Sequence, residues 1–81
     1  YGASDGAAGN MSSPGIGGGL YGDDKGTYST ITIKNNSQVS VQRGSNRSDY
    51  IGSGGSTNNP ANSPNGIDAT VDETSTITPL N

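Results

Sequence analysis

Ile31, Ile33, Val39 and Val41 occupy every second position of two short runs, with Thr30, Thr32, Lys34, Gln38, Ser40 and Gln42 between and beside them. A period of two carried by β-branched residues predicts extended strands with one apolar face. Asn35, Asn36 and Ser37 separate the runs, so the pattern predicts a β-hairpin over residues 28–43. A two-residue loop would set Ile33 against Gln38. A three-residue loop sets Ile33 against Val39 and Ile31 against Val41, which keeps the four branched side chains together and is the preferred register. Such a ribbon is marginal by itself and needs a cover for its apolar face.

Outside this segment the alternation is weak. Residues 1–27 read as a glycine-rich extended arm, in which Tyr1-Gly2 and Tyr21-Gly22 open two loose echoes of one another. Residues 44–66 read as a linker rich in Gly, Ser, Asn and Pro, because proline and its predecessor leave helical space and glycine admits positive φ. Asn65-Gly66 is a turn signal at its end. Residues 67–81 form an extended acidic tail with an expected strand within 69–78, where Ser75-Thr76-Ile77-Thr78 repeats Ser29-Thr30-Ile31-Thr32 letter for letter. Pro79 withholds one backbone donor and favours an edge or a terminus for this strand. No segment has the spacing of an amphipathic helix.

Composition changes the picture by limiting the core. Leu, Ile, Val and Phe number 11 among 81 residues, against 14 glycines, 12 serines, nine asparagines and eight threonines. A chain so poor in large apolar groups is below the level at which autonomous folding is expected. The fold class read from the sequence is therefore mostly irregular and extended with minor β structure, ordered mainly by partner subunits. Cysteine and histidine are absent, so neither disulfides nor the common soft metal ligands staple the chain. No apolar run is long enough to span a bilayer.

Candidate chemistry is sparse. Without histidine or cysteine the usual activated-nucleophile pairs cannot be built within this chain, and the expected role is not enzymatic, with no cofactor. The net charge of −3 argues against dedicated nucleic-acid binding, although Lys34, Arg43 and Arg47, with Tyr50 near them, supply a small basic patch for incidental contact. Asp68, Asp72 and Glu73 are the candidates for a hard cation such as calcium, without the spacing of a calcium loop. Three Asn-x-Ser triplets, beginning at Asn10, Asn35 and Asn46, match the glycosylation pattern.

The isolated apolar side chains Tyr21, Tyr28, Ile31, Ile33, Val39, Val41, Tyr50 and Ile51 are the expected anchors onto larger protein subunits of a multimeric assembly. A non-catalytic structural polypeptide fits these features, first as a minor or cleaved capsid component in a virion that threads along larger subunits. The arm-like composition and the start at Tyr1 motivate that choice. Two alternatives stand beside it. One is a subunit of an extracellular or cell-surface β-rich fibre, in which 28–42 and 69–78 stack as β-layers. The other is a small calcium-dependent or accessory binding module.

Overall fold

The computed structural model describes residues 2, 11–21 and 24–81. Its β structure consists of short paired strands: β1 (Ile16–Gly17), β2 (Leu20–Tyr21), β3 (Asp24–Lys25), β4 (Thr32–Ile33), β5 (Gln38–Val41), β6 (Ile51–Gly52), β7 (Thr70–Val71) and β8 (Thr76–Pro79). Among the described residues there is no α-helix, and the one helical turn is a 3-10 turn at Pro64–Gly66. The remainder is irregular.

The strands pair mostly in parallel and over long sequence distances. β1 lies beside β6, β4 beside β7 and β5 beside β8, all parallel, whereas β2 and β3 form an antiparallel pair. Ile51 is also bridged in parallel to Ile67, so Ile16, Ile51 and Ile67 occupy neighbouring positions across three segments. Parallel neighbours require the chain to travel round and return in the same direction. Here it does so by coiling, and residues 70–81 lie on residues 32–43 as one rung on the next.

The expected hairpin over 28–43 does not form. β4 and β5 do not pair with each other, and neither proposed hairpin register exists. Ile33 lies opposite Val71, Val39 opposite Ile77 and Val41 opposite Pro79. The physical reason is the number of partners each arrangement supplies. A lone ribbon joins four branched side chains and leaves them uncovered. The stacked arrangement also recruits Ala69, Val71 and Ile77, and it pairs the backbone of each strand with a parallel partner, β4 with β7 and β5 with β8.

The alternation itself survives this change of partner. Ile33 and Val41 are buried and Ile31 and Val39 half-buried, while Thr32, Lys34, Gln38 and Ser40 face solvent. The core is Ile33, Val41 and Ile51, with Ile31, Val39, Tyr50, Ile67, Ala69, Val71 and Ile77 packed against it. The expected strand within 69–78 is present as β7 and most of β8.

Gly17 and Gly52 show why glycine is needed at one layer of the coil. They are register partners with nearly the same backbone, φ 134° and 143°. Side-chain-bearing residues rarely adopt this region. A Cβ on Gly17 would run into the Gly52 carbonyl, and one on Gly52 into the Asp49 carboxylate.

Candidate functional site

The most organised surface of the molecule is the stack of 32–43 on 70–81, and its corner is the best-defined part. Asn35 and Asn36 both adopt left-handed backbone, φ 64° and 59°, which asparagine tolerates better than most residues. The corner amides then point at side chains of the next rung. Asn35 N donates to Asp72 Oδ2 at 2.9 Å, Asn36 N to Thr74 Oγ1 at 2.8 Å and Ser37 N to Ser75 Oγ at 3.1 Å. Backbone bonds continue on either side, from Asp72 N to Ile33 O at 3.0 Å and from Thr76 N to Ser37 O at 2.9 Å. At the far end Arg43 N donates to Asn81 Oδ1 at 3.1 Å, and Asn81 Nδ2 returns a bond to Arg43 O at 2.7 Å. From Thr32 to Arg43 the partner is thus held at a sequence separation of 38 residues, with one step of 37 at the corner.

Asp72 is the pivot of the corner. Besides the Asn35 amide it accepts Thr74 N at 3.1 Å and Thr74 Oγ1 at 2.9 Å. The Asn35 bond, followed by hydroxyl and amide donors of Ser75 and Thr74, holds its pKa below the ordinary carboxylate value. A group depressed in the folded state stabilises the fold above its unfolded pKa, and that contribution is lost as pH falls through the folded pKa. Acidification below the ordinary carboxylate range is therefore expected to lower the protection of the Asn35 amide, the slowing of its exchange relative to the unstructured chain at the same pH. Asp72→Asn should make that protection independent of pH, as read by amide exchange from pH 6 down to about pH 2 and corrected for the intrinsic rate at each pH.

A second polar feature closes the long loop between β6 and β7. Asp49 is only 1% exposed. Its carboxylate accepts Ser53 N at 2.9 Å, Ser63 Oγ at 2.9 Å, Ser63 N at 3.3 Å and Ser53 Oγ at 3.4 Å. Three chain positions are tied together by one side chain. Next to this clip, Ser12 and Ser48 are buried with their hydroxyls 2.7 Å apart, and Ser48 Oγ also donates to Ser13 O at 2.9 Å. The remaining bond of Ser48 Oγ goes to Ser45 O at 3.3 Å, so the pair ties residues 12–13 to residues 45–48.

The remaining candidates fall in different places. Tyr28 donates its hydroxyl to Asp68, and that bond to a carboxylate pushes the phenol pKa up to about 12. The two flank an open groove of about 410 Å³ completed by Ser29, Thr30, Ile31, Ala69 and Thr70. Arg43 lies over the Tyr50 ring, 4.2 Å from its centroid, and donates to Ser48 O at 3.2 Å. Tyr50 in turn donates its hydroxyl to the Asn81 carbonyl. Arg47 is held by Thr57 Oγ1 at 3.1 Å and Ser45 Oγ at 3.3 Å. Lys34 is exposed on the outer face of the first rung. Arg43, Arg47 and Tyr50, read from sequence as candidate phosphate and base contacts, thus each make intramolecular contacts.

The acidic trio is likewise divided in its use. Asp68 receives Tyr28, Asp72 caps the corner and Glu73 is exposed. Among the described residues no group of three His, Cys, Asp or Glu side chains is arranged to hold a metal ion. No helix among them is long and apolar enough to cross a membrane.

Of the expected anchors, Ile33, Val41 and Ile51 lie in the chain's own core, and Ile31, Val39 and Tyr50 pack against it. Tyr28 borders the groove, and Tyr21 belongs to β2. Of the Asn-x-Ser triplets, Asn35 is exposed at the corner, Asn46 is exposed with its Ser48 buried, and Asn10 lies outside the described residues. Sequence reasoning missed Asp49, whose partners Ser53 and Ser63 are ordinary linker residues. The one trace of the stack in the sequence is the recurrence of branched residues at a separation of 38, Ile33 with Val71 and Val39 with Ile77. No protein-family model, curated protein or solved structure matches this chain.

Proposed function

We propose that the chain is a non-catalytic structural element that builds a coiled β-stack, the kind of unit used in an extracellular or cell-surface fibre or shaft. The observation that supports this reading is the constant separation between 32–43 and 70–81, maintained through two strands and the corner between them. In a stack of this kind each rung contacts its neighbours, and stability comes from rung-to-rung terms rather than from one large core. That logic suits a sequence with few large apolar residues and many small polar ones. Like residues also meet like across the rungs, as in Thr32 with Thr70, Ser40 with Thr78 and Gly17 with Gly52.

Between the assembly readings drawn from the sequence, this internal layering favours the β-rich fibre over an arm threaded along capsid subunits. An arm takes its order from a partner, whereas here both layers belong to one chain. Localisation outside the cell follows from the fibre reading and belongs to the proposal.

The test is a nuclear magnetic resonance study of the isolated chain. Dispersed amide signals, with side-chain contacts between Val39 and Ile77 and between Ile33 and Val71, are the expected result. Narrow dispersion without those contacts would return the chain to the class of arms that order only on a partner.

A further inference from the structure

The two rungs are not equally covered, and the difference points to a docking edge. The difference lies at two register pairs: in the first rung Ile33 and Val41 are 8% and 3% exposed, whereas Val39 is half-buried like its partner Ile77. The register partners of Ile33 and Val41 in the second rung are half-buried Val71 and exposed Pro79. The first rung is also met on its other side near its end, where Gly2 N donates to Gln42 O at 2.6 Å and Gly44 N to Ser13 O at 3.0 Å. The second rung has one strand neighbour in each sheet, the first rung, among the described residues.

Backbone direction identifies which groups face outward. Thr70 N and Asp72 N donate to Ile31 O and Ile33 O, and Thr76 N and Leu80 N donate to Ser37 O and Val41 O. In a parallel ladder residues alternate between facing the partner and facing away. Val71, Ile77 and Pro79 therefore turn their backbone groups away from the first rung. Val71 and Ile77 each offer a donor and an acceptor; Pro79 offers only a carbonyl.

We infer that the outer edge of residues 70–79 accepts a further parallel rung with the pattern of residues 32–43, supplied by a second copy of such a coil, and that Pro79 withholds one bond at the end of that interface. This rests on the stacking reading and names the partner it implies. Continuity with the existing interface carries the argument: the same parallel pairing, extended by one layer, would cover Val71 and Ile77 as the second rung covers Ile33 and Val39. A strand added to an open edge takes affinity from backbone bonds and selectivity from alternate side chains.

A synthetic peptide with the sequence of residues 28–43 is the probe, titrated into the isotope-labelled full chain. Saturable shifts and slowed exchange at the Val71 and Ile77 amides are expected. Pro79→Thr restores the outward donor at an exposed position, so it should tighten peptide binding about fivefold, the effect of one hydrogen bond. Absence of binding, or binding that leaves Val71 and Ile77 unaffected, overturns the inference. So does an affinity that Pro79→Thr leaves unchanged. If contacts between Val39 and Ile77 persist while the peptide fails to bind, the docking edge is wrong and the internal stack stands; if those contacts are missing, the stacking reading itself has failed.

Discussion

Gly52→Ala is expected to remove most of the folding stability of this chain. Two costs coincide at that position. The backbone sits at φ 143°, where a side chain is strained by about 1–3 kcal/mol. The added Cβ would also meet the Asp49 carboxylate, which is buried and fixed by Ser53 and Ser63, so overpacking adds roughly 1–3 kcal/mol more. A domain of this size has about 4–12 kcal/mol in total at typical values per residue, and a core of three buried apolar residues argues for the lower end. Urea unfolding should show the midpoint falling steeply in Gly52→Ala. Gly19→Ala is the control, because nothing lies within 4 Å of its added Cβ and its backbone is not at positive φ; it should change stability by less than about 0.5 kcal/mol. Asp49→Ala is destabilising too, since it leaves the part-buried donors of Ser53 and Ser63 without their acceptor. Combined with Gly52→Ala it should cost less than the sum of the two, because removing the carboxylate removes the clash. A strictly additive double variant would show that the clash is not the cause.

How much of this was legible in the sequence depends on the range of the interaction. The inward set Ile31, Ile33, Val39 and Val41 followed from alternation alone, since side-chain direction along a strand is local. The break at Asn35 to Ser37 was local as well. The partner was not. Across 32–43 and 70–81 only Thr32 with Thr70 and Ser37 with Ser75 are identical; some pairs agree in class, as Ile33 with Val71 and Val39 with Ile77, and others do not, as Lys34 with Asp72 and Gln42 with Leu80. The exact recurrence of Ser29 to Thr32 at Ser75 to Thr78 does not mark the pairing, since Thr76 to Thr78 lie beside Gln38 to Ser40.

The same limit applies to the anchors. Composition shows that an apolar face needs a cover, and it carries no information on whether the cover is another subunit or the same chain 38 residues later. Pro79 is the exception. Its edge position was readable because the missing donor is a property of the residue itself, whatever strand lies beside it. Asp49 lies at the opposite extreme: its role depends on loop residues 53 and 63 converging, which no periodic pattern encodes.

Ile51→Ala should have an effect as large as Gly52→Ala, by a different route. Among the described residues Ile51 is the one fully buried large apolar side chain, at 0% exposure, and it is flanked in parallel by Ile16 and Ile67. Truncating a buried Ile costs about 2–5 kcal/mol through lost transfer energy and an unfilled cavity. Its position in the coil matters as much as its area. Ile51 O accepts Asp68 N at 2.7 Å, and Tyr50 N donates to Gly66 O at 2.7 Å. These bonds start the second rung just before Thr70 joins Ile31. Weakening the packing at Ile51 should therefore loosen the later ladder as well as the local one. Hydrogen exchange at the Asp72, Thr76 and Leu80 amides is the appropriate measurement. If the coil is one cooperative unit, all three lose protection together with Asp68 in Ile51→Ala. Ile16→Ala, made at a residue 39% exposed, should produce a smaller and parallel change. Loss of protection at Asp68 alone would mean that β5 and β8 form an independent stack, with Ile51 serving only the segment that leads into it.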